Sequence, residues 1–410
     1  MSHPTGNPNV RAAAKGFAKA GILAEFNTAI AAFPGTLLDR LSGLGPLAEI
    51  GRRRFDPVLQ SVTKTYPWRE VGRLAASKAG MHRLIEHETG RFSIDAVYQN
   101  MDRRVEKRLR SAPQKGFDAV YAYEDGALQS FLQAKALHLL CFYDLPIGYW
   151  RTARTLLEQE KQKWPEWAVT LTGFRDSPAK LSRTDEELKL ADRIFVASRF
   201  TAKTLEDFPG QLAPVDVIPY GFPPVCTKRE YKGFTAGRPL RLLFVGGLSQ
   251  RKGIANLFAA VDAIGPRVQL TIVGHKATNN CQALDAALKK HQWVPSLPNE
   301  EILKLMQQHD VLVFPSLFEG FGLVITEAMS QGTPVITTDR TAGPDLIEDG
   351  ESGWIVEAGS TEALITNFEA LLSRPHIIAE AGKAAMATAR KRPWEVYGYE
   401  LANAVQKIVF

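Results

Sequence analysis

The sequence contains few cysteines, and this scarcity argues against two classes of protein. Its 410 residues include three cysteines, Cys141, Cys226 and Cys281, which are far apart, odd in number and without a Cys-x-x-Cys spacing. Disulfide scaffolds need paired cysteines, and structural zinc sites need closely spaced ligands. We therefore expect neither a disulfide framework nor a zinc site, and we expect a cytoplasmic protein.

Long apolar runs and targeting signals are also missing from the chain. No stretch approaches the roughly 18 uncharged apolar residues that a membrane-spanning helix requires. The opening residues, MSHPTGNPNV, lack the charged and then apolar pattern of a secretory signal. Export is therefore not expected. We find no internal repeat and no low-complexity tail.

The composition is that of a globular protein with two domains. Hydrophobic residues make up 45% of the chain and charged residues 23%, which is ordinary for such proteins. A chain of 410 residues exceeds one ordinary hydrophobic core. The net charge of +6 is uneven, because residues 1–110 hold 18 Lys and Arg against 10 Asp and Glu, whereas residues 221–410 hold 19 of each.

Basic residues alternate with apolar patches in residues 31–92, where the run Arg52, Arg53, Arg54 is the densest cluster. A basic face beside exposed apolar side chains is typical of a peripheral enzyme resting on an anionic membrane surface. Ordinary helices with solvated arginines explain the pattern equally well, so both interpretations stay open. Aromatic residues are not interleaved with basic ones as in single-stranded nucleic-acid grooves, and we expect no nucleic-acid partner.

Residues 311–338 form the stretch around which the chain is organised. The pattern predicts a strand at 311–315, a turn on Gly320 and Gly322, a helix at 323–331 and a second strand at 334–338. Loops between a strand and the next helix bind anions in α/β sheets, because the free amides and the helix dipole favour negative charge.

Two carboxylates, Glu319 and Glu327, flank this turn. A carboxylate does not bind phosphate, so both are better suited to accept hydrogen bonds from hydroxyl groups. Phosphates and hydroxyls together indicate a nucleotide sugar. The alternative is a capping box from Ser316 to Glu319, with Glu327 on a solvated helix face. We favour a nucleotide-sugar site, because helix capping requires neither two glycines nor exposed aromatic side chains. We expect Phe318 and Phe321 to be exposed.

A second phosphate-facing loop follows a predicted strand at 241–245. It begins at Gly246 and Gly247, ends with Arg251 and Lys252 before Gly253, and precedes a helix at 254–263. Two cations at a glycine-rich turn suit a departing diphosphate, whose negative charge grows as its bond to the sugar breaks. His275 follows a predicted strand at 269–273 and is a further candidate to contact the nucleotide. A structural role is the alternative for this histidine.

In the amino-terminal half we predict strands at 94–99, 117–123 and 138–143 with helices between them, which indicates a parallel sheet. A helix is also predicted at 101–112. Polar residues follow two of the strands, Glu124 and Asp125 in one place and Asp144 in the other. Asp144 is a candidate for chemistry, with helix capping as the alternative. Glu187 is predicted to lie on a helix surface, and residues 150–167 to line the interdomain cleft.

The segment from Glu319 to Gly353 resembles the signature of retaining glycosyltransferases of family 4. The match covers the E-x7-E pair Glu319 and Glu327 with GFGLVIT between them, the continuation Glu-Ala-Met-x-x-Gly-x-Pro-Val-Ile, and Asp349-Gly350 with Gly353. The resemblance implies an α/β fold of the GT-B type, in which two Rossmann-like domains face each other across a cleft. It places an acceptor domain at 1–222, a nucleotide-sugar domain at 223–392 and a helix at 393–410 that packs back on the first domain.

The resemblance also implies roles for individual residues. Glu319 would contact the donor sugar and Glu327 the ribose hydroxyls. Many relatives have an arginine where this chain has Gly247, so Arg251 would join Lys252 in binding the diphosphate. Many relatives also have a histidine where this chain has Asp144, and Asp144 would then approach the acceptor or the transferred sugar. Backbone groups of Gly320, Phe321, Gly322 and Leu323 complete the expected donor site. Gly6, in a glycine loop near the amino terminus, is a further candidate, with a simple turn as the alternative.

The expected activity is that of a bacterial polysaccharide-type or glycolipid-type enzyme. It would move a hexose-type sugar from a nucleoside-diphosphate sugar to a glycan or lipid-linked acceptor hydroxyl, with retention at the anomeric carbon. No DxD-type pair follows a strand of the donor domain, so we expect no catalytic metal and no cofactor. A nucleotide-sugar epimerase, a non-catalytic nucleotide-sugar-binding protein and a glycoside hydrolase remain alternatives.

Overall fold

The computed structural model describes residues 1–41, 51, 53–110, 116–231 and 238–409. Within them the strands form two parallel sheets, one in each half of the chain. Arg52 of the predicted basic run lies outside the described residues. No described helix is both long enough and apolar enough to cross a membrane.

The first sheet is built around the amino terminus. Its strands are β1 (Phe26–Thr28), β2 (Thr63–Thr65), β3 (Ala119–Tyr123), β4 (Leu140–Leu145), β5 (Arg193–Val196) and β6 (Val215–Val217). Ser2 joins β1 to β3, because it bridges Asn27 on one side and Ala122 on the other. The spatial order is therefore β2, β1, the segment at Ser2, and then β3 to β6. The order reverses at Ser2, and the loop with Gly6 follows directly.

The second sheet has the strand order β12, β11, β10, β7, β8, β9. Its strands are β7 (Leu240–Val245), β8 (Val268–Val273), β9 (Gln292–Val294), β10 (Val311–Phe314), β11 (Val335–Thr338) and β12 (Gly353–Val356). The order reverses between β7 and β10, and α/β sheets bind their ligands in the crevice at such a reversal. All side chains of β10 and β11 are buried, as in a parallel sheet covered on both faces.

Helices cover both sheets. Those of the first half are α1 (Pro8–Lys19), α2 (Leu37–Leu41), α3 (Trp68–Lys78), α4 (Ile94–Arg110), α5 (Leu128–Ala136), α6 (Trp150–Lys163), α7 (Pro178–Leu190) and α8 (Arg199–Thr204). Those of the second half are α9 (Ile254–Ile264), α10 (Gln282–Leu288), α11 (Asn299–Gln308), α12 (Leu323–Ser330), α13 (Gly343–Leu346), α14 (Thr361–Ser373), α15 (His376–Lys391) and α16 (Trp394–Val409).

The last helix, α16, returns to the first half and packs on α1. The two helices touch at glycines, since a Cβ on Gly16 would lie 2.1 Å from the carbonyl oxygen of Gly398. The chain crosses between the halves twice in adjacent segments, and the amide of Phe222 donates to the carbonyl of Arg392 at 2.8 Å. The predicted return of the final helix is confirmed.

One predicted strand is wrong. Residues 94–99 form the start of α4, which is a single helix and includes most of the helix predicted at 101–112. Val97, Met101, Val105 and Leu109 are all buried and recur every four residues, which is a helical spacing. The short, mostly apolar run Ile94, Asp95, Ala96, Val97 imitates a strand, but Ile94 is exposed. Helix α15 was missed altogether.

Candidate functional site

The two loops with the predicted phosphate-binding character meet at the reversal point of the second sheet. One follows β7 and the other follows β10, and β7 and β10 are paired neighbours. The amide of Leu317 donates to the carbonyl of Arg251 at 2.8 Å. A Cβ on Gly253 would lie 2.0 Å from the carbonyl oxygen of Pro315. The backbones are in contact, so the side chains of both loops share one site.

Glu319 and two cations form the centre of this site. Arg251 donates from Nη1 to Glu319 Oε2 at 3.1 Å and to the carbonyl of Phe318 at 2.8 Å. Lys252 Nζ donates to the same carboxylate oxygen. The side chains of Lys252 and Glu319 are only 11% and 15% exposed, whereas that of Arg251 is 34% exposed. The site therefore holds a nearly buried ion pair with a second, more accessible cation.

Burial and charge oppose each other at this centre. Burial acts to raise the pKa of the Glu319 carboxyl, but Lys252 and Arg251 outweigh it and hold the pKa below its usual value. Burial, together with the nearby charge of Arg251, lowers the pKa of the Lys252 ammonium despite Glu319. The carboxylate is thus kept ionised.

The capping interpretation of this loop is wrong. The carboxylate of Glu319 is occupied by the two cations, and the Ser316 hydroxyl donates to the carbonyl of Arg251 at 3.2 Å instead of capping a helix. Phe318 and Phe321, expected to be exposed, are each only 2% exposed. Their rings pack against first-domain aromatics, Phe318 on Phe200 at 5.5 Å and Phe321 on Tyr220 at 4.8 Å between centroids.

The turn from Gly320 to Leu323 leads into α12. Gly322, the residue before the helix, has a φ of 87°, a conformation in which glycine carries no steric penalty. Glu327 lies one turn further along, where Asn299 donates to its Oε1 at 2.8 Å. Burial raises the pKa of the Glu327 carboxyl despite this hydrogen bond. Glu327 is thus a half-buried acceptor held in a fixed position.

The remaining second-domain candidates, Gly247 and His275, are exposed. No heavy atom lies within 4 Å of a Cβ built on Gly247, so that end of the loop is open. The backbone carbonyl of His275 accepts from the amide of Leu248 at 2.8 Å. This contact involves only the backbone of His275, so both interpretations of its side chain stay predictions.

Asp144 lies inside the first sheet. It is 3% exposed, and the hydroxyl of Tyr121 donates to its Oδ2 at 2.6 Å. Burial raises the pKa of the Asp144 carboxyl to about 7, against the effect of this hydrogen bond. Asp144 is part of β4 and accepts from a tyrosine, so the helix-capping alternative does not describe it.

Sequence reasoning missed two sets of first-domain polar groups. Glu187, expected on a helix surface, is 0% exposed and accepts from the amides of Asp125, Ala127 and Leu128. It satisfies the amino end of α5, a task that no local motif announces because the two segments are some 60 residues apart. The other set, Thr170, Ser198 and Thr201, contacts the two loops of the second domain.

The second half of the chain is similar in sequence to known proteins. Residues 227–392 match the family model described as Glycosyl transferases group 1. The alpha-maltose-1-phosphate synthase of Mycolicibacterium smegmatis is 32% identical over 143 residues, or 32% of this chain and 37% of that protein. The phosphatidyl-myo-inositol mannosyltransferase of Mycobacterium leprae is 31% identical over 174 residues, or 41% of this chain and 46% of that protein. These matches thus span less than half of each relative.

Solved structures match over nearly the whole chain. The sucrose-phosphate synthase of Thermosynechococcus elongatus has a TM-score of 0.64 at 19% identity, covering 97% of this chain and 92% of that one. Anabaena HepE in complex with UDP and glucose has a TM-score of 0.63 at 14% identity, covering 99% and 98%. At these identities the likeness establishes the fold.

The burial of Asp144 predicts a pH-dependent effect of Asp144→Asn. The pKa of this carboxyl is about 7 in the folded protein and about 4 in an unfolded chain. Between these values the folded state keeps a proton that the unfolded state releases, so this group lowers stability as pH rises through that window. The unfolding free energy of the variant minus that of wild type should therefore be larger at pH 8 than at pH 5, by on the order of 1 to 4 kcal/mol.

Urea denaturation at the two pH values measures this difference. Asp262→Asn is the control, because Asp262 is exposed and its replacement should change the difference by less than about 0.5 kcal/mol. An equal effect of Asp144→Asn at pH 5 and pH 8 would contradict the prediction.

Proposed function

We propose that this protein is a retaining glycosyltransferase, because residues 227–392 match the model of Glycosyl transferases group 1 and the fold is that of GT-B structures. It moves a hexose-type sugar from a nucleoside-diphosphate sugar to a hydroxyl of a glycan or lipid-linked acceptor. Residues 1–222 form the acceptor domain, 223–392 the donor domain and 393–410 the returning helix.

One observation carries this proposal, the shared contact of Lys252 and Arg251 with Glu319. Without donor, the one carboxylate pairs with both cations and leaves the group with a net positive charge. A bound diphosphate brings two or more negative charges to the same place and takes over the pairing with the cations. The oxygens of Glu319 then become available to the hydroxyls of the attached sugar. A single site thus provides both positive charge for the diphosphate and an acceptor for the sugar.

The resemblance to retaining glycosyltransferases, together with this placement, leads us to propose the following reaction. The bond between the anomeric carbon and the diphosphate oxygen breaks, and a bond to the acceptor oxygen forms on the same face of the sugar. The proton of the acceptor hydroxyl passes to the departing diphosphate, so no separate base is needed. Lys252, Arg251 and the amides of the turn stabilise the charge that develops on the leaving group. Because these groups supply the positive charge, we propose a metal-independent and cofactor-independent reaction.

Other residues have supporting roles in this proposal. Glu327 accepts from the ribose hydroxyls, and His275 lies beside the nucleotide. Asp144 belongs to the acceptor side, where its buried carboxyl, held by Tyr121, supports the region that binds the acceptor or the transferred sugar. The backbone groups that border the diphosphate belong to Gly6, Gly247, Gly320, Phe321, Gly322 and Leu323. Two solved neighbours, the complexes of Anabaena HepE with UDP and with UDP-glucose, support a nucleotide-sugar donor.

The proposed function predicts that variants of the ion-paired residues lose transfer activity or donor binding. Glu319→Gln should lower kcat/KM for transfer by about 100-fold or more, because the neutral amide binds the sugar hydroxyls less strongly in the transition state. Lys252→Ala should raise the Kd for the nucleoside diphosphate roughly 10- to 100-fold. A thermal-shift screen of UDP-, GDP- and ADP-sugars identifies the donor for both measurements.

Lys290→Ala is the matched control, because Lys290 forms an exposed ion pair with Asp262 and should leave transfer unchanged. Wild-type turnover in Glu319→Gln would contradict the role of that residue. Conversion of the donor without acceptor would indicate an epimerase. Donor binding without turnover on any glycan or lipid acceptor would indicate a binding protein, and hydrolysis of an aryl glycoside without nucleotide a glycosidase.

We also propose that the protein works in the cytoplasm as a peripheral membrane protein that contacts an anionic surface through α3. This helix has an inverted polarity. Its inner face holds Glu70, which is 1% exposed and paired with Arg53 and Arg73. Its outer face carries Trp68 and Val71, which are 67% and 49% exposed. Apolar side chains facing outward over a charged interior suit a helix that rests on lipid.

Exposed cations around α3 give this surface the charge that anionic lipid attracts. Lys64 and Arg83 are both exposed, as are the apolar Met81 and Ile94. Binding should therefore depend on anionic lipid and weaken as salt increases.

The membrane proposal predicts the behaviour of Trp68→Gln combined with Val71→Gln. Wild type should sediment with vesicles of phosphatidylglycerol and phosphatidylcholine. The vesicle-bound fraction of the double variant should be lower than that of wild type by about 80% or more, because two interfacial apolar side chains are removed. Tyr399→Gln on α16 is the matched control, since Tyr399 is 66% exposed on another element. Equal sedimentation of the double variant and wild type would contradict the assignment of α3.

A further inference from the structure

First-domain side chains hold the loop that carries Glu319. The carbonyl oxygen of Gly320 accepts from the hydroxyls of Ser198 at 2.5 Å and Thr201 at 2.9 Å. Both residues are 0% exposed. Ser198 also accepts from the amide of Thr201 as the N-cap of α8. A buried carbonyl that receives two hydroxyls is fixed in direction, because leaving it unpaired would cost its desolvation.

Backbone contacts leave this loop little freedom. A Cβ on Gly320 would lie 2.0 Å from the carbonyl oxygen of Pro146. A Cβ on Gly148 would lie 2.6 Å from the ring of Phe318. The residue that follows Glu319 is thus enclosed by the first domain, and its position is set by that domain as much as by β10.

The cation-bearing loop is held in the same way. The amide of Gln250 donates to Thr170 Oγ1 at 2.9 Å, and the side-chain amide of Gln250 donates to Glu160 at 3.0 Å. Thr170 is 0% exposed and lies in the turn after α6. Nearby, Trp167 stacks on Phe258 of α9 at 5.7 Å. The residue immediately before Arg251 is therefore held by first-domain polar groups.

We propose that Thr170, Ser198 and Thr201 are positioning residues, through which the acceptor domain sets the spacing of the two donor loops. Their hydroxyls hold Gln250 and Gly320, each one residue from a charged member of the site. They touch neither substrate, and they act through Arg251, Lys252 and Glu319. The inference rests on the proposed function, because the spacing matters only if a diphosphate and its sugar must be bound at the same time.

The test uses isosteric substitutions in the full-length protein. Thr170→Val and Thr201→Val remove one hydroxyl each with little change in volume, whereas Thr170→Ser and Thr201→Ser keep it. Each valine variant should lose about 10-fold or more in kcat/KM for the nucleotide sugar, with the acceptor KM unchanged, because small misplacements of reacting groups are costly. The serine variants should stay within about threefold of wild type, because each keeps the positioning hydroxyl.

Ser360→Ala is the structural control. Ser360 caps α14 by accepting from the amide of Ala363 at 3.1 Å, so its loss should lower Tm without changing kcat/KM of the folded protein. A valine variant that loses thermal stability but keeps wild-type kcat/KM would overturn the positioning role, as would serine variants as impaired as the valine ones.

The proposed function is tested separately. Titration of UDP, GDP and ADP into wild type by calorimetry, together with transfer assays, decides it. Wild type that binds no nucleoside diphosphate and transfers no sugar overturns both proposals. An active wild type with fully active valine variants overturns the positioning role alone.

Discussion

The ion pairing of Glu319 with Lys252 and Arg251 is the interaction on which the rest of the account depends. Removing charges from water is costly, and a nearly buried pair of this kind contributes little to stability compared with apolar packing. The pair is better understood as a site in which three charges are kept available for a ligand. The backbone makes the pairing possible, because the loops after β7 and β10 touch where the strand order reverses.

The same architecture explains why two domains are needed. The second sheet brings the charged side chains together, but the first domain fixes the loops that carry them through hydroxyl groups and close backbone contacts. The chain crosses between the halves twice, and α16 binds the second half back to α1. The two halves are thereby joined by contacts that lie next to the charged residues of the site.

Much of this could be predicted from the sequence where the information is local. The strand, turn and helix around Glu319 lie within one residue of their predicted ends, because the apolar periodicity and glycines are local features. The two loops were predicted to serve one donor, but the ion pair between Lys252 and Glu319 was not predicted. Their roles in catalysis stay predictions. The prediction at residues 94–99 is wrong because a short apolar run imitates a strand, and only the four-residue spacing from Val97 to Leu109 reveals α4.

Features that depend on distant parts of the chain could not be predicted. Phe318 and Phe321 are buried because aromatic side chains of the first half cover them. Glu187 is buried because it accepts from the amides at the start of a helix 60 residues away, and Ser198 is buried because it donates to Gly320 across 122 residues. A single sequence holds no record of which segments will meet. The polar groups that connect the domains are therefore visible only in the folded protein.

A crystal structure of the protein with a bound nucleoside diphosphate would show whether Lys252 and Arg251 exchange their contact with Glu319 for the diphosphate. The account predicts that the diphosphate oxygens lie within hydrogen-bond distance of Lys252 and Arg251, and that Glu319 is released from them to face the position of the sugar. A diphosphate bound elsewhere, with Lys252 still paired to Glu319, would contradict the account.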